Sequence, residues 1–331
     1  MKVKKTIPLT ACLIFFAVIT LQAQKLVIID APDGKHGLKF ENGDVLIPAR
    51  YDDFHLVKDD VAAVTLNKKW GFFNVKTGTE IVPLKYDDAG DFVDRMAAVA
   101  LNNKWGFVDK SGKEIVPPKY DNVSDFNEGT AKVTINDKWG FIDKTGKEIV
   151  PLKYQQVDYF IDGMSTVQLN EKWGCVDMTG KEIAPPKYDD ASHFQDGLMR
   201  VLLNGKHLFL DKTGKEIFVS KYAITNDFSE GLAIVVVDKK HGFIDKTGKE
   251  ITAIDYEFAD DFSEGLAVVG KDGKYGFIDK TGKEIIPLQF ESIYPVDESA
   301  KEKQYGFYNG QMKVWLNGRG FYIDKNGKEI K

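Results

Sequence analysis

The chain has 331 residues, 43% of them hydrophobic and 12% aromatic, which is apolar enough for a globular core and excludes a disordered chain. Its formal net charge of −5 argues against nucleic acids and anionic membrane surfaces as partners, because both repel an acidic protein. The two cysteines are Cys12 and Cys175. If the N-terminal segment is removed, one cysteine remains and no intramolecular disulfide is expected.

Residues 1–23 have the organisation of a secretory signal peptide. Three lysines precede the apolar run Leu9–Leu21, and Ala23 is a small residue suited to cleavage before Gln24. Cleavage would change the formal net charge from −5 to −8, because Lys2, Lys4 and Lys5 would be lost. The sequence therefore predicts an exported protein, in the periplasm or at the cell surface, whose mature chain is residues 24–331.

Two alternatives to a cleaved signal peptide were weighed on the same segment. The uninterrupted apolar run Ala11–Leu21 is short for a membrane span, which needs about 20 residues, so the mature chain is expected to contain no integral membrane span. Residues 9–12 (LTAC) resemble a lipoprotein box ending at Cys12. The most apolar residues follow Cys12, however, where a mature lipoprotein should already be polar.

A glycine-containing turn motif recurs at a nearly constant spacing. The heptapeptide DKTGKEI stands at 143–149, 211–217, 245–251 and 279–285, and close variants occur elsewhere. DKTG also begins the phosphorylation loop of P-type ATPases, in which the aspartate is a nucleophile. An enzyme needs one nucleophile, whereas this motif is repeated. We therefore interpret it as a hairpin turn, with Asp accepting backbone hydrogen bonds and Gly in the left-handed conformation.

The turn glycines define a repeat of about 34 residues. Their spacings are 35 residues, then 34 six times, then 45, at Gly43, Gly78, Gly112, Gly146, Gly180, Gly214, Gly248, Gly282 and Gly327. The last spacing is longer because residues 295–304 are inserted before the final unit. A fixed period of this length indicates one stacked array rather than two independent domains.

Each repeat is predicted to contain three short strands. In one unit these are Gly129–Ile135, Lys138–Asp143 and Lys147–Pro151, in which β-branched and aromatic residues alternate with no sustained helical period. The predicted fold is all-β, with nine whole three-stranded units. Propellers usually have four to eight four-stranded blades. Nine three-stranded units therefore favour an open β-solenoid or twisted hairpin array, with a closed propeller-like ring as the alternative.

The recurring Lys-Trp-Gly-Phe segments, followed by sequence of the type DKTGKEIVPPKYD, resemble the WG (KWG-type) repeat family of bacterial proteins. The resemblance covers nearly the whole mature chain. It is interrupted where His36, His207, His241 and Tyr275 replace Trp and where Leu208 replaces Gly. It implies an exported tandem β-repeat and no particular activity. The turns are also similar to those of cell-wall-binding repeats, which suggests an envelope glycan as one class of partner.

Two groups of residues are candidate binding sites. The first is the tryptophan row, which would stack sugar rings if exposed and would pack the core if buried: Trp70, Trp105, Trp139 and Trp173. The second is the inserted segment 295–304, whose charged residues include Asp297, Lys301 and Lys303. Sequence alone leaves a recognition loop and a bulge beside a capping repeat equally open for that segment.

No catalytic motif or metal-ligand spacing stands outside the repeat register. His36, His207 and His241 could meet in a metal site if the repeats stacked them, but no cysteine or carboxylate accompanies them at ligand spacing. The sequence therefore predicts a non-catalytic binding or scaffold protein without a cofactor. A partner protein and an envelope glycan remain as alternative ligands, and an enzyme with an unrecognised site is the third reading.

Overall fold

The computed structural model of the protein describes residues 25–57, 60–294 and 305–330. The predicted signal peptide and the inserted segment 295–304, with Asp297, Lys301 and Lys303, lie outside these residues. Compact packing divides the chain into two units, Met1–Asp91 and Phe92–Lys331, which are described separately. The regular secondary structure of the described residues consists of β-strands only.

The first unit contains two antiparallel sheets. The strands of sheet 1 are Leu26–Asp30, His36–Phe40 and Val45–Tyr51. The strands of sheet 2 are Asp53–Val57, Val61–Leu66, Lys69–Asn74 and Glu80–Tyr86. A core of buried side chains from both sheets, including Leu38, Ile47 and Val64, lies between them.

The second unit contains seven further sheets, each antiparallel with its strands in chain order. Sheet 3 contains Met96–Leu101, Lys104–Asp109 and Glu114–Tyr120. Sheet 4 is formed by Asn122–Val123, Thr130–Ile135, Lys138–Asp143 and Glu148–Tyr154. Sheet 5 is formed by Gln156–Val157, Met164–Leu169, Lys172–Asp177 and Glu182–Tyr188. Sheet 3 also contains the strand Asp88–Val93, within which the division between the units falls.

The remaining four sheets of the second unit are less uniform. Sheet 6 is formed by Asp190–Gln195, Leu198–Leu203, Lys206–Asp211 and Glu216–Val219. Sheet 7 is formed by Ile224–Thr225, Leu232–Val237 and Lys240–Asp245. Sheet 8 is formed by Phe258–Ala259, Leu266–Lys271, Lys274–Asp279 and Glu284–Phe290. Sheet 9 is formed by Ser292–Ile293, Met312–Leu316, Arg319–Ile323 and Glu329–Ile330.

This architecture confirms the predicted all-β tandem array. Within the second unit the buried clusters lie between consecutive sheets, as in a solenoid-like stack; one cluster contains Phe141 and Val150 of sheet 4 with Val167 and Val176 of sheet 5. The strand pairs of the described residues form separate sheets and close no barrel.

In most sheets the structure adds one strand to the three predicted for a repeat, whereas sheets 1 and 7 have three strands. The predicted strands correspond to Thr130–Ile135, Lys138–Asp143 and Glu148–Tyr154 in sheet 4. The connection that follows each tyrosine supplies the extra strand, which in this sheet pairs only at Asn122 and Val123. Two paired residues are too few to show an alternating pattern, so sequence periodicity does not reveal this strand.

The glycine of the Lys-Trp-Gly segment permits a β-bulge between the last two strands. Trp139 pairs with Tyr154 and Phe141 with Val150, so the register shifts between these pairs. A Cβ atom on Gly140 would lie 2.4 Å from the carbonyl oxygen of Val150. Since real Cβ atoms do not approach a carbonyl oxygen so closely, this position requires glycine.

Replacing Gly140 with alanine is expected to destabilise the protein by about 1–3 kcal/mol, because the new methyl group forces the last strand of sheet 4 away. Chemical denaturation of the mature protein measures this change. Gly129→Ala is the matched control, since its Cβ would meet no atom within 4 Å and the cost would come only from its positive φ of 82°. Equal destabilisation by the two variants would contradict the close-packing argument.

Candidate binding surface

The Asp-x-Thr-Gly segments are turns that join the last two long strands of a sheet. In sheet 4 the Oδ1 atom of Asp143 accepts hydrogen bonds from the Thr145 amide at 2.8 Å, the Thr145 hydroxyl at 2.6 Å and the Lys147 amide at 3.1 Å. Gly146 has φ of 80°. Burial alone would raise the pKa of Asp143, but these hydrogen bonds outweigh it and hold the pKa below its ordinary value. One oxygen of the carboxylate thus stabilises the turn, as the sequence predicted.

A lysine–carboxylate contact links each of several sheets to the next. At the junction of sheets 5 and 6, Asp189 accepts from Lys172 Nζ at 2.6 Å through one oxygen and from the Asn204 amide at 3.0 Å through the other. Lys172 begins a strand of sheet 5, and Asn204 lies in a two-residue turn of sheet 6. Asp121 makes the same two bonds, to Lys104 and to the Asn136 amide. We call this arrangement the carboxylate link.

A second set of bonds joins the opposite turns of consecutive sheets. The carboxylate of Glu264 accepts from the Gly310 amide at 3.0 Å and lies 3.1 Å from Lys325 Nζ. Glu230 likewise accepts from the Gly265 amide at 2.9 Å. These charges are therefore used to hold neighbouring sheets together, and they do not form a row of free carboxylates.

The tryptophan row lies at the rim of the core. Trp70, Trp105, Trp139 and Trp173 are all half-buried. Trp105 and Trp139 pack against the buried clusters between sheets. Trp70, in the first unit, stacks on His55 with ring centroids 5.7 Å apart. Each side chain therefore has a packing role and also retains an exposed part.

The histidines that replace tryptophan have individual surroundings. His36 Nδ1 lies 2.8 Å from Asp30 Oδ1, whereas His207 Nδ1 is buried with no hydrogen-bond partner among the described residues. Burial, and then the charge of Arg200, lower the pKa of His207, so it is neutral near pH 7. No group of three or more His, Cys, Asp or Glu side chains in the described parts of the chain is arranged to hold a metal ion.

Cys175 occupies the position at which most repeats have a buried phenylalanine. It is completely buried, and burial, with the charge of Asp177 second, raises the pKa of its thiol to about 12. A thiol that remains protonated is a poor nucleophile. Cys175 therefore fills space in the core, as the sequence indicated.

A face with different side chains in each repeat lies beside this uniform frame. It combines two positions: one in the first long strand of a sheet, and one directly before the buried phenylalanine of the next repeat. We call the half-exposed and exposed residues at these positions from Lys132 onward the variable face: Lys132, Tyr159, His193, Arg200, Asp227 and Asp261. The earlier repeats have the exposed aspartates Asp91 and Asp125 directly before the phenylalanine. The phenylalanines that follow, Phe160, Phe228 and Phe262 among them, are buried.

Contacts between consecutive sheets order the variable face. Lys132 Nζ of sheet 4 lies 3.8 Å from the ring centroid of Tyr159, which belongs to the next repeat. Arg200 Nε of sheet 6 donates to Asp227 Oδ1 of the following repeat at 3.0 Å, and both side chains are about one quarter exposed. Tyr159 is 47% exposed. These side chains are thus positioned in advance of any partner.

Asp261 is the strained member of the variable face. Its Oδ1 atom is buried and has no hydrogen-bond partner among the described residues. Burial, followed by the charges of Asp260 and Asp227, raises the pKa of Asp261 to about 6. Burial also raises the pKa of Asp260, whose Oδ2 accepts from the Tyr305 amide at 2.6 Å. At the junction of sheets 7 and 8 the variable face therefore carries a carboxyl group whose ionised form is disfavoured.

Sequence reasoning missed the variable face, although a signal was present. The tryptophan and turn motifs repeat, whereas the position in the first long strand differs from repeat to repeat. Aligning the nine units on their turn glycines places Lys132, Thr166 and Arg200 at one position. Different residue types at one equivalent position of a regular array would have indicated this face as a candidate binding surface.

The chain belongs to the family described as WG containing repeat. The family profile matches residues 41–70, 70–105, 105–139, 139–173, 173–206, 209–240, 242–275 and 275–299. No curated protein matches the chain. The break in the matches between 206 and 209 coincides with His207 and Leu208, which replace the Trp-Gly pair.

Among solved structures the chain is similar to proteins of low sequence identity. A eukaryotic initiation factor has 9% identity and a TM-score of 0.40 over 93% of this chain and 95% of that one. Kluyveromyces lactis Hsv2 has 12% identity and a TM-score of 0.33 over 72% of this chain and 97% of that one. PorZ of Porphyromonas gingivalis has 9% identity and a TM-score of 0.28 over 92% of this chain and 51% of that one. All three TM-scores lie below 0.5, and these proteins bear on neither the site nor the function of this chain.

No helix in the described residues is long and apolar enough to cross a membrane. This finding bears on 25–57, 60–294 and 305–330.

Replacing Asp261 with asparagine should raise the melting temperature at pH 7.5 and leave it unchanged near pH 3.5. Because the pKa of Asp261 is raised in the folded state, ionising this carboxyl lowers the free energy of unfolding. This loss of stability is absent below about pH 4, develops between pH 4 and 6, and is complete above pH 6. The expected gain at pH 7.5 is about 1–2 kcal/mol. Asp91→Asn, at the exposed equivalent position, controls for the substitution itself. A gain that did not depend on pH would refute this account.

Proposed function

We propose that this protein is an exported, non-catalytic binding module that recognises a partner protein through its variable face. The observation that carries the proposal is the contrast between the frame and that face. The turns, the buried phenylalanines and the links between sheets recur in most repeats, whereas from Lys132 onward the variable face presents Lys, Tyr, His, Arg and Asp. Stacked repeats of this kind form extended recognition surfaces.

The chemistry of the variable face favours a protein as the partner. Tyrosine and arginine are enriched among residues that dominate protein–protein binding energies, and Tyr159 and Arg200 provide one of each. Their contacts with Lys132 and Asp227 reduce the side-chain entropy that binding would cost. Both signs of charge are present, which suits a mixed polar surface.

An envelope glycan is the second candidate, supported by the tryptophan row. The half-buried state of Trp105, Trp139 and Trp173 leaves part of each indole for stacking on a sugar. Packing against the core restricts the exposed ring faces of Trp105 and Trp139, so the glycan role is the weaker of the two. Segment 295–304, with Asp297, Lys301 and Lys303, would add specificity in either case.

Absence of catalysis is part of the proposal, because the aspartates that resemble a nucleophile are used in turns. Asp143 has three hydrogen bonds from its own turn, and the turn aspartates Asp177 and Asp211 have the same three. Hydrogen bonds to the carboxylate stabilise its charge and make it a weaker nucleophile. No cofactor is required by this reading.

Export makes a prediction about the N-terminus of the secreted chain. Expression in a bacterial host should yield a mature protein that begins at Gln24, as measured by intact mass spectrometry of the exported fraction. Cys12→Ser should not change this result, whereas a lipoprotein would lose its lipid. A full-length chain retained in the cytoplasm would contradict export.

Replacing Tyr159 with alanine should weaken capture of the partner about tenfold, because an exposed aromatic anchor would be lost. The experiment places a photoreactive amino acid at 159 in the mature protein and identifies proteins crosslinked from envelope extracts. Tyr322 is the matched control, because it is 48% exposed and lies outside the variable face. Equal crosslinking from positions 159 and 322 would refute the assigned face, and capture that survives protease treatment of the extract would favour the glycan.

A further inference from the structure

We propose that the junction of sheets 6 and 7 binds an aspartate or glutamate side chain of a partner peptide, with an apolar residue beside it. This proposal deepens the proposed function, on which it rests, by naming the partner's chemistry. It starts from the carboxylate link, which holds several other junctions together and is missing here.

The carboxylate link has two donors at Asp52, Asp121 and Asp189. One donor is a lysine at the start of a strand or directly before it, and the other is a backbone amide in the two-residue turn of the next sheet. Its lysine contact is made at five junctions in the described residues, by Lys35–Asp52, Lys69–Asp87, Lys104–Asp121, Lys172–Asp189 and Lys240–Glu257. At the junction of sheets 4 and 5, Gln155 keeps only the amide bond, at 2.8 Å from Asn170 N.

At the junction of sheets 6 and 7 the acceptor of this link is replaced by Ala223. The two equivalent donors are still present, as Lys206 and the backbone amide of Asp238. Among the described residues Lys206 forms no ion pair, and the Asp238 amide donates no hydrogen bond. Lys206 and the Asp238 amide therefore lack the carboxylate that their equivalents bind at other junctions. Such a pair of donors is suited to a carboxylate supplied by another molecule.

The absence of one glycine explains why this junction is also open. Leu208 occupies the position of Gly140, where a side chain blocks the usual β-bulge. Leu208 instead pairs directly with Val219, and the strand ends there after four residues rather than seven. The chain then turns through a buried Ser220, whose hydroxyl lies 2.7 Å from that of Thr225. The shortened strand leaves space that the other repeats fill.

Two neighbouring cavities occupy this space, and Ala223 lines both. One, of about 580 Å³, is also lined by Lys206 and Val219. The other, of about 410 Å³, is lined by Ile224, Val237 and Asp238. Ala223, at the position of the missing carboxylate, therefore shares one cavity with Lys206 and the other with Asp238.

The walls of the junction are apolar, and among its charges that are unpaired within the described chain two lysines, Lys206 and Lys239, outnumber the single carboxylate of Asp238. Val219, Ile224 and Val237 are 44%, 52% and 40% exposed. Ile224 stands where sheets 4 to 6 have Asn122, Gln156 and Asp190, so a polar position has become apolar. Lys239, beside Asp238, also forms no ion pair among the described residues. Exposed apolar side chains around unpaired lysines complement an acidic residue that has an apolar neighbour.

The carboxylate links identify the occupant as a protein side chain. At the junction of sheets 5 and 6 the bound group is the aspartate side chain of an extended segment, Lys187-Tyr188-Asp189-Asp190, and at sheets 7 and 8 it is a glutamate. At the junction of sheets 7 and 8 the pKa of Glu257 is lowered first by Lys240 and then by the amides of Gly273 and Asp272, so an aspartate in the turn, as at Asp238, is compatible with a bound carboxylate. A peptide carboxylate presented in trans would meet the same donors.

The test uses the ¹⁵N-labelled mature protein and the peptide acetyl-Leu-Asp-Leu-amide. The Asp238 amide resonance should shift and saturate during titration, and the Leu-Asn-Leu analogue should bind about tenfold more weakly, because it lacks the charge. Lys206→Met should weaken binding of the Asp peptide by a similar factor. Raising the salt concentration should weaken it further.

Ala223→Asp provides the decisive variant, because it restores the carboxylate within the chain. It should raise the melting temperature and abolish the peptide-induced shift at Asp238. Lys119→Met, at a lysine outside this junction, is the control for loss of a positive charge. Equal binding of the two peptides, absence of binding by both, or unchanged binding by Ala223→Asp would each overturn the proposal. Tyr159→Ala should leave peptide binding intact, so failure of partner capture at Tyr159 can be distinguished from failure at this junction.

Discussion

The packing of phenylalanine rings between consecutive sheets is the contact on which the second unit depends. Phe107 meets Phe126 with ring centroids 4.8 Å apart, Phe141 meets Phe160 at 4.6 Å, and Phe243 meets Phe262 at 5.1 Å. Each pair joins a strand of one sheet to the connection that enters the next. A sheet of short strands has too little buried surface to be stable alone, so it is stabilised by its neighbours. The polar links at the two ends of each junction then fix the relative position of the sheets.

The sequence was most informative where one residue has one local role. Gly146 and Asp143 could be assigned to a turn from the motif alone, because a left-handed glycine and a bonding aspartate are local requirements. The long strands were predicted for a similar reason, since alternation of apolar residues is visible over five to seven positions. The short strand Asn122–Val123 was not found, because its two backbone pairs depend on the neighbouring strand rather than on side-chain pattern.

The candidate sites were harder to predict because they depend on contacts between repeats. The tryptophans were expected to be either exposed or buried, and the structure makes them half-buried through contacts with neighbouring strands. The pairing of Lys132 with Tyr159 joins residues 27 positions apart, and neither side chain suggests it in isolation. Likewise, Ala223 is an ordinary residue in the sequence. It becomes informative only when the aspartates of other junctions show what is missing there.

The carboxylate link also has a consequence for how such a protein evolves. Its donors and acceptor come from two consecutive units, and no third unit takes part. Removing or duplicating one internal unit of about 34 residues would therefore recreate a junction of the same chemistry at the splice. The number of repeats can change by recombination without a new core having to be selected, while the variable face gains or loses one pair of positions at each event. Gene length and binding repertoire can thus change together in a single step.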